Sequence, residues 1–332
     1  MTTSPIKGPK PYSKEWYGYR FLDVTRKKRP FVFGASEAAV LVGKSPYKTR
    51  LGLYLEKVGK EPPEMDNHAM LMGRLLEPVV LSLYEEKTGF SLIKKCPMYF
   101  SRDIWWMSAT PDGIALNGGE WDRTVDAKTS SFRMYEGEDA NLYQFGEDGT
   151  DQVPLDYIFQ AQQQMKVCGV DRTDFPVLFD ARTLRIYTVH RDERLISALV
   201  EAGEKLAKNI LEGEEPEPDW SHDTTRSLLR TRKPEKVQEI GFVDEAVDGI
   251  WDQLQYCNKQ IKKFEEMATE LKNRLYEKVG EFGRAVLPSG RELNRIEVQD
   301  TFYSHQDVEK VQSLVGQLKR AGYEYYKERK AK

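Results

Sequence analysis

Short strand-like runs at Ser91–Ile93, Met98–Ser101, Trp105–Ala109 and Gly113–Leu116, and one more through Thr124–Lys128, lie between helical patterns on both sides. No other feature restricts the fold so strongly, because period-two segments enclosed by period-3.6 segments specify a sheet covered by helices. Ahead of the strands, Gly34 to Gly43 reads as a short helix with Ser36 as its N-cap. A second helix spans Leu51–Val58. A longer one spans His68–Lys87, with Leu71, Leu75, Leu76, Val79, Val80, Leu83 and Tyr84 as its apolar face and Gly89 as its stop. Pro78 should bend that helix or reset its start. Asn117-Gly118-Gly119 supplies hairpin chemistry. A glutamine-rich helix (Leu155–Cys168), strands at Phe175–Asp180 and Ile186–His190, and a helix over Arg194–Leu211 follow. The expected fold class is α/β (α+β): a mixed central sheet flanked by helices.

Glu214-Glu215-Pro216-Glu217-Pro218 reads as a boundary. It divides the chain into a first domain over 1–220 and a mainly helical C-terminal region over 221–332. In that region Val247, Ile250, Leu254, Cys257, Ile261, Phe264, Ala268, Leu271 and Leu275 alternate spacings of three and four, a coiled-coil or helical-hairpin seam. A small hairpin (Arg284–Leu287 with Glu292–Val298), a polar helix and a basic tail from Tyr323 to Lys332 are expected after it.

No stretch approaches the ~18 consecutive apolar residues of a membrane span, and the N-terminus lacks a signal-peptide apolar core. A cytoplasmic protein is expected. Cys96, Cys168 and Cys257 are odd in number and far apart, which argues against a disulfide framework and against a thiolate metal site. The four histidines are equally scattered. A metal bound here must be held by carboxylate oxygens, which favours Mg²⁺ or Mn²⁺. The net charge of −3 hides a local asymmetry, because Arg20 to Lys60 contains ten Lys/Arg against three acids. That surplus suits phosphate, although a basic run such as Arg26–Arg29 also occurs as a solvated loop.

The segment Thr110-Pro-Asp112-Gly, followed by Asp126-Ala-Lys128, carries the chemistry. In a strand, residues i and i+2 share a face, so Asp126 and Lys128 project into one space, within reach of Asp112 on the neighbouring strand. Two carboxylates can hold a divalent cation there, and an ammonium can orient water and offset phosphoryl charge. Asp-Gly is a common turn and Asp-x-Lys a common surface pattern, so the spacing alone does not establish a site. Val125 and Ala127 imply a strand packed on its other face, where charges are costly unless paired. Glu77, on the preceding helix, adds a third acid. Gln160 and Gln164 share a face of the later helix, although isolated glutamines are usually plain surface positions.

Gly34-Ala-Ser36-Glu-Ala-Ala, Ser45-Pro-Tyr47-Lys-Thr, Gly73-x-x-x-Glu77-Pro, Thr110-Pro-Asp112-Gly, Asp126-Ala-Lys128 and Tyr157-x-x-Gln160-x-Gln162-x-x-Met165 occur in this order. The set resembles the YqaJ-type viral recombinase family, phage lambda exonuclease-like enzymes of the PD-(D/E)xK class, over residues 20–215. The resemblance implies a restriction-endonuclease-like core and a Mg²⁺-dependent exonuclease, with Mn²⁺ substituting. Such an enzyme degrades double-stranded DNA ends 5′ to 3′ and leaves 3′ single strands. It implies Glu77, Asp112, Asp126 and the Ala127 carbonyl as metal ligands, Lys128 as the residue that positions the attacking water, and Gln160 in support. By the same resemblance Ser36 and Arg29 receive a terminal 5′-phosphate, with Arg26, Lys27 and Lys28 competing for the arginine's place. A ring-shaped trimer and a single-strand annealing partner are implied too. Relatives with iron–sulfur clusters need four cysteines, more than this chain supplies. The alternatives are an endonuclease of the same fold and a non-catalytic DNA-end binding module. The acidic segment 136–152 maps onto nothing in the pattern, and acid beside a DNA channel is unfavourable unless it faces away.

Overall fold

The computed structural model describes residues 5–62, 67–131, 144–232, 245–279, 284–288 and 292–294. The chain divides into two units, Met1–Val237 and Gln238–Lys332. The first begins with β1 (Ile6–Lys7), α1 (Lys14–Arg20), a 3₁₀ turn (Ala35–Glu37), α2 (Ala38–Leu41), α3 (Arg50–Lys57) and α4 (His68–Thr88). The strands β2 (Ser91–Lys94), β3 (Tyr99–Phe100), β4 (Ser108–Ala109), β5 (Gly113–Asn117), β6 (Glu120–Val125) and β7 (Lys128–Ser130) come next. They are followed by α5 (Leu155–Cys168), β8 (Arg172–Phe179), β9 (Thr183–His190), α6 (Glu193–Glu212) and α7 (Asp223–Arg232).

The sheet is mixed, as expected. β2, β5 and β6 pair antiparallel in sequence, β8 runs parallel to β6 and β7, and β9 returns antiparallel along the whole of β8. Gly118 and Gly119, with φ of +60° and +88°, close the β5–β6 turn in a conformation that side-chain-bearing residues resist. β8 is buried from Thr173 to Phe179, the continuous pattern of a strand covered on both faces.

The expected strand through Thr124–Lys128 is instead two strands, and Pro176 explains the break. Asp126 N–H donates to the Asp174 carbonyl at 3.0 Å. In a parallel ladder the return bond to Asp126 would come from residue 176, which as proline has no N–H. The ladder therefore lapses at Asp126–Ala127, between the Val125↔Asp174 and Lys128↔Val177 pairs.

The helices follow from their patterns. α6 buries Ile196, Leu199, Gly203, Leu206, Ala207 and Ile210, one stripe at helical spacing. Gly203 is required there, since a Cβ would stand 2.2 Å from the Trp106 ring. α4 starts on Asn67, whose side chain accepts from Met70 N at 2.9 Å, and stops at Gly89 with φ +76°. It runs through Pro78 without interruption, contrary to the expected reset. Of its expected apolar face Val80 and Tyr84 are covered, with Leu81 beside them, whereas Leu71, Leu75 and Val79 are exposed. Its second half is pinned from the sheet. There the Tyr84 hydroxyl donates to Asp174 at 2.6 Å, and Arg123 and Thr188 satisfy the same buried carboxylate.

Gln162, Gln163 and Gln164 of α5 are buried rather than surface positions, and Gln160 is half-buried. Gln162 donates to the His190 carbonyl and accepts from Asp192 N–H, both at 2.8 Å. Gln163 donates to the carbonyls of Phe33 and Ser108, both at 2.9 Å. That amide joins the segment entering the 3₁₀ turn to the strand that precedes Asp112. α7, beyond the proline-rich run, belongs to the first unit, where His222 Nε2 meets the Ser45 carbonyl at 2.9 Å. Residues 136–143 of the acidic segment lie outside the described residues. Of the rest, Asp148 bonds Lys87 at 2.9 Å and Ile186 N–H at 2.7 Å.

In the second unit α8 (Glu245–Val279) is one helix carrying all nine seam residues, and β10 (Arg284–Val286) pairs antiparallel with β11 (Glu292–Asn294). The hairpin's expected extension to Val298, the polar helix and the basic tail lie outside the described residues.

Candidate active site

Asp112 sits at the entrance to β5, where its carboxylate accepts from Ala127 N–H at 2.8 Å. The antiparallel β5–β6 pairing ends at Gly113↔Val125, which leaves that N–H to the side chain. Across the pair, Asp126 is 3% exposed and takes three side-chain donors. Lys128 donates to its Oδ1, while Gln160 (2.7 Å) and Gln164 both donate to its Oδ2. The i, i+2 reasoning for Asp126 and Lys128 and the i, i+4 reasoning for the glutamines both end on this carboxylate. Lys128 is fixed further by Gln160 Oε1 at 3.4 Å and by the Tyr157 ring, 4.7 Å from its nitrogen.

The electrostatics tie Glu77 to the same place. Burial raises the Asp112 carboxyl well above the ordinary value, and the charges of Asp126 and Glu77 raise it further. Glu77 is raised by burial and by Asp126, with Lys128 opposing. Burial alone would lower Lys128, but Asp126, then Tyr157 and Asp112, hold it above the ordinary lysine value. Three carboxylates thus share one field against one ammonium, a donor set that fits a hard divalent cation. Among the described residues no three His, Cys, Asp or Glu side chains form a ready cation cage; Lys128 takes one oxygen of Asp126 instead.

Asp112, Glu77, Gln160 and Gln164 line a cavity of about 630 Å³ together with Ser36, Arg20, Trp16 and Tyr12. The 3₁₀ turn is capped by Gly34 rather than Ser36: the Glu37 carboxylate reaches back to Gly34 N–H at 2.9 Å. Ser36 is left exposed in the cavity, its hydroxyl not consumed by a cap. Glu37 itself is buried on Lys57 and on Arg20, each at 3.0 Å, which fixes the turn from behind.

Arg29 does not line this cavity. Its guanidinium donates to the carbonyls of Trp105 and Ser101, the latter at 2.6 Å, and lies over the Phe100 ring. Arg26 is likewise engaged, over the ring of Tyr19 at 4.5 Å. The arginine beside Ser36 is Arg20. The sequence signal for it is the Trp16-x-x-x-Arg20 pair, one turn apart on α1, with the guanidinium 5.1 Å from the indole centre.

No described helix is long and apolar enough to cross a membrane. The description "YqaJ-like viral recombinase domain" matches residues 22–171. The chain is similar to a Bacillus subtilis protein described as "Uncharacterized protein YqaJ", 24% identical over 267 residues, which is 75% of this chain and 78% of that one. Solved structures similar to it include an alkaline exonuclease from Laribacter hongkongensis, at 18% identity and TM-score 0.42 over 60% of this chain and 93% of that chain. Another is a phage related exonuclease from Haemophilus somnus, at 13% identity and TM-score 0.39 over 55% of this chain and 96% of that chain. Asp112, Asp126 and Lys128 all fall inside the stretch that is similar to the YqaJ-like viral recombinase domain.

Proposed function

We propose that the chain is a divalent-metal-dependent 5′-to-3′ exonuclease acting on the ends of double-stranded DNA. The observation that carries this reading is the convergence of Asp112, Asp126 and Glu77 on Lys128, beside a cavity that also contains Arg20 and Ser36. A site for cutting phosphodiesters needs oxygen ligands and a cation near the phosphate. A site for DNA ends needs, in addition, a place for the terminal phosphate.

Asp112, Asp126 and Glu77 would hold Mg²⁺ or Mn²⁺ with the Ala127 carbonyl. The bound ion supplies Lewis acidity and lowers the pKa of coordinated water. Lys128, kept cationic by Asp126, donates to water or to a phosphoryl oxygen and does not act as a base. Gln160 contacts both Asp126 and Lys128 and so sets their separation. Gln164, given no role by the sequence patterns, does the same for Asp126 from one turn further along α5. Arg20 and Ser36 receive the 5′-phosphate, the guanidinium supplying charge and the hydroxyl a donor. This moves the arginine's role from Arg29 to Arg20.

The test is digestion of linear duplex with 5′-phosphate or 5′-hydroxyl ends in Mg²⁺, with covalently closed circles as the control. The expected outcome is faster loss of phosphorylated ends, intact circles, and no cleavage by Lys128→Ala at unchanged circular dichroism. Efficient cutting of closed circles would overturn the exonuclease reading in favour of an endonuclease.

A further inference from the structure

We propose that Trp16 and Tyr12 form a stacking platform for the base of the nucleotide being removed. The proposal rests on the nuclease reading of the cavity. Both rings line that cavity, and both lie before the stretch matched by the family description.

The indole joins two functional groups. One edge of Trp16 is bonded to Thr110, Nε1 to Oγ1 at 3.4 Å, and Thr110 leads directly through Pro111 to Asp112. Its face carries the Arg20 guanidinium, 5.1 Å from the ring centre, and Arg20 is paired with Glu37 next to Ser36. The ring therefore lies between the turn that carries a catalytic carboxylate and the proposed phosphate contacts. Tyr12 extends this aromatic surface, its ring 5.6 Å from that of Trp16, and it is 58% exposed.

The chemistry of that surface suits a nucleobase. Every base has a π-face, so a platform of two aromatic rings grips all four without reading sequence. An exonuclease that moves through arbitrary DNA needs that tolerance. The cavity volume of about 630 Å³ lies within the range of sites that enclose a small ligand.

The experiment uses full-length protein and 5′-phosphorylated duplex in Mg²⁺. The terminal nucleotide is either normal or abasic (tetrahydrofuran), and kcat/KM is measured for each. For the wild-type protein the abasic end is expected to react about 5- to 150-fold more slowly. In Tyr12→Gly/Trp16→Ala the normal end falls to the abasic rate and the two substrates become equivalent. Glycine is chosen because Tyr12 has φ +61°, so the ring is removed without backbone cost. Tyr12→Gly alone narrows the gap between the substrates, which keeps the test open if Trp16→Ala misfolds. Trp16→Phe, which keeps a ring, preserves the gap. An abasic penalty of the same size in the variants, or none in the wild type, overturns the platform. Failure of the wild type to degrade any linear duplex overturns the nuclease reading instead.

Discussion

The ammonium of Lys57, without solvent exposure, donates to both carboxylate oxygens of Glu37 at 3.0 Å each. Burial pulls Lys57 below the ordinary lysine value despite Glu37. The pair accordingly does more to fix the Ser36 turn than to add net stability. Glu37→Gln leaves the lysine buried and unmatched, and chemical denaturation should register a loss of about 3–5 kcal/mol. Against its own burial, which raises it, the Glu37 carboxyl is held from 4.5 down to about 2 by Lys57 and then Arg20. Its contribution is therefore present above the ordinary carboxylate value and lost as pH falls towards about 2. The Glu37→Gln variant should lack that part of the acid limb; an unchanged limb counts against this assignment.

Arg20 and Arg29 separate cleanly by substitution. Arg20→Ala should reduce the preference for 5′-phosphate over 5′-hydroxyl ends by about 10- to 100-fold. Arg29→Ala should leave that preference intact and cost about 1–3 kcal/mol of stability, because the Trp105 and Ser101 carbonyls lose their donor. The opposite pattern would return the phosphate role to Arg29.

Asp112 has the reverse sign to Glu37. Its folded value is raised by burial and by Asp126 and Glu77, so its stabilising share is greatest when protonated and is lost as pH rises through the raised value. A cation among the carboxylates offsets that loss. Thermal melts with and without Mg²⁺ should show a larger Mg²⁺-induced rise in Tm at about pH 8 than at about pH 5.5. Equal rises at both pH values would remove Asp112 from the ligand set.

Pro176→Ala supplies the N–H that the parallel ladder lacks opposite Asp126. Stability should stay within about 1 kcal/mol, since a new bond offsets the greater freedom of the unfolded chain. Joining β6 to β7 draws Asp126 and Ala127 into regular pairing. Single-turnover cleavage should then fall about 10- to 100-fold, the penalty of a small misplacement in a reacting site. Wild-type cleavage rates in this variant would show that the break has no bearing on the chemistry.

Asp112, Asp126 and Lys128 were legible in the sequence because extended-chain geometry is local: two residues two apart on one extended stretch and a hairpin turn suffice to bring them together. Gln160 was legible through helical spacing, but the burial of its neighbours was not, since it depends on the ends of β4 and β9 far along the chain. Arg29 could not be told from Arg26, Lys27 and Lys28 for a similar reason. Four cations in a row look equally available, and what engages Arg29 is a pair of carbonyls at positions 101 and 105.

The cavity is assembled from two stretches of chain, Lys10–Ser36 and Glu77–Gln164. Gln163 links them through the carbonyls of Phe33 and Ser108. In the proposed exonuclease the first stretch would choose the DNA end and the second would cut it, and one amide with two carbonyls holds the two tasks in register.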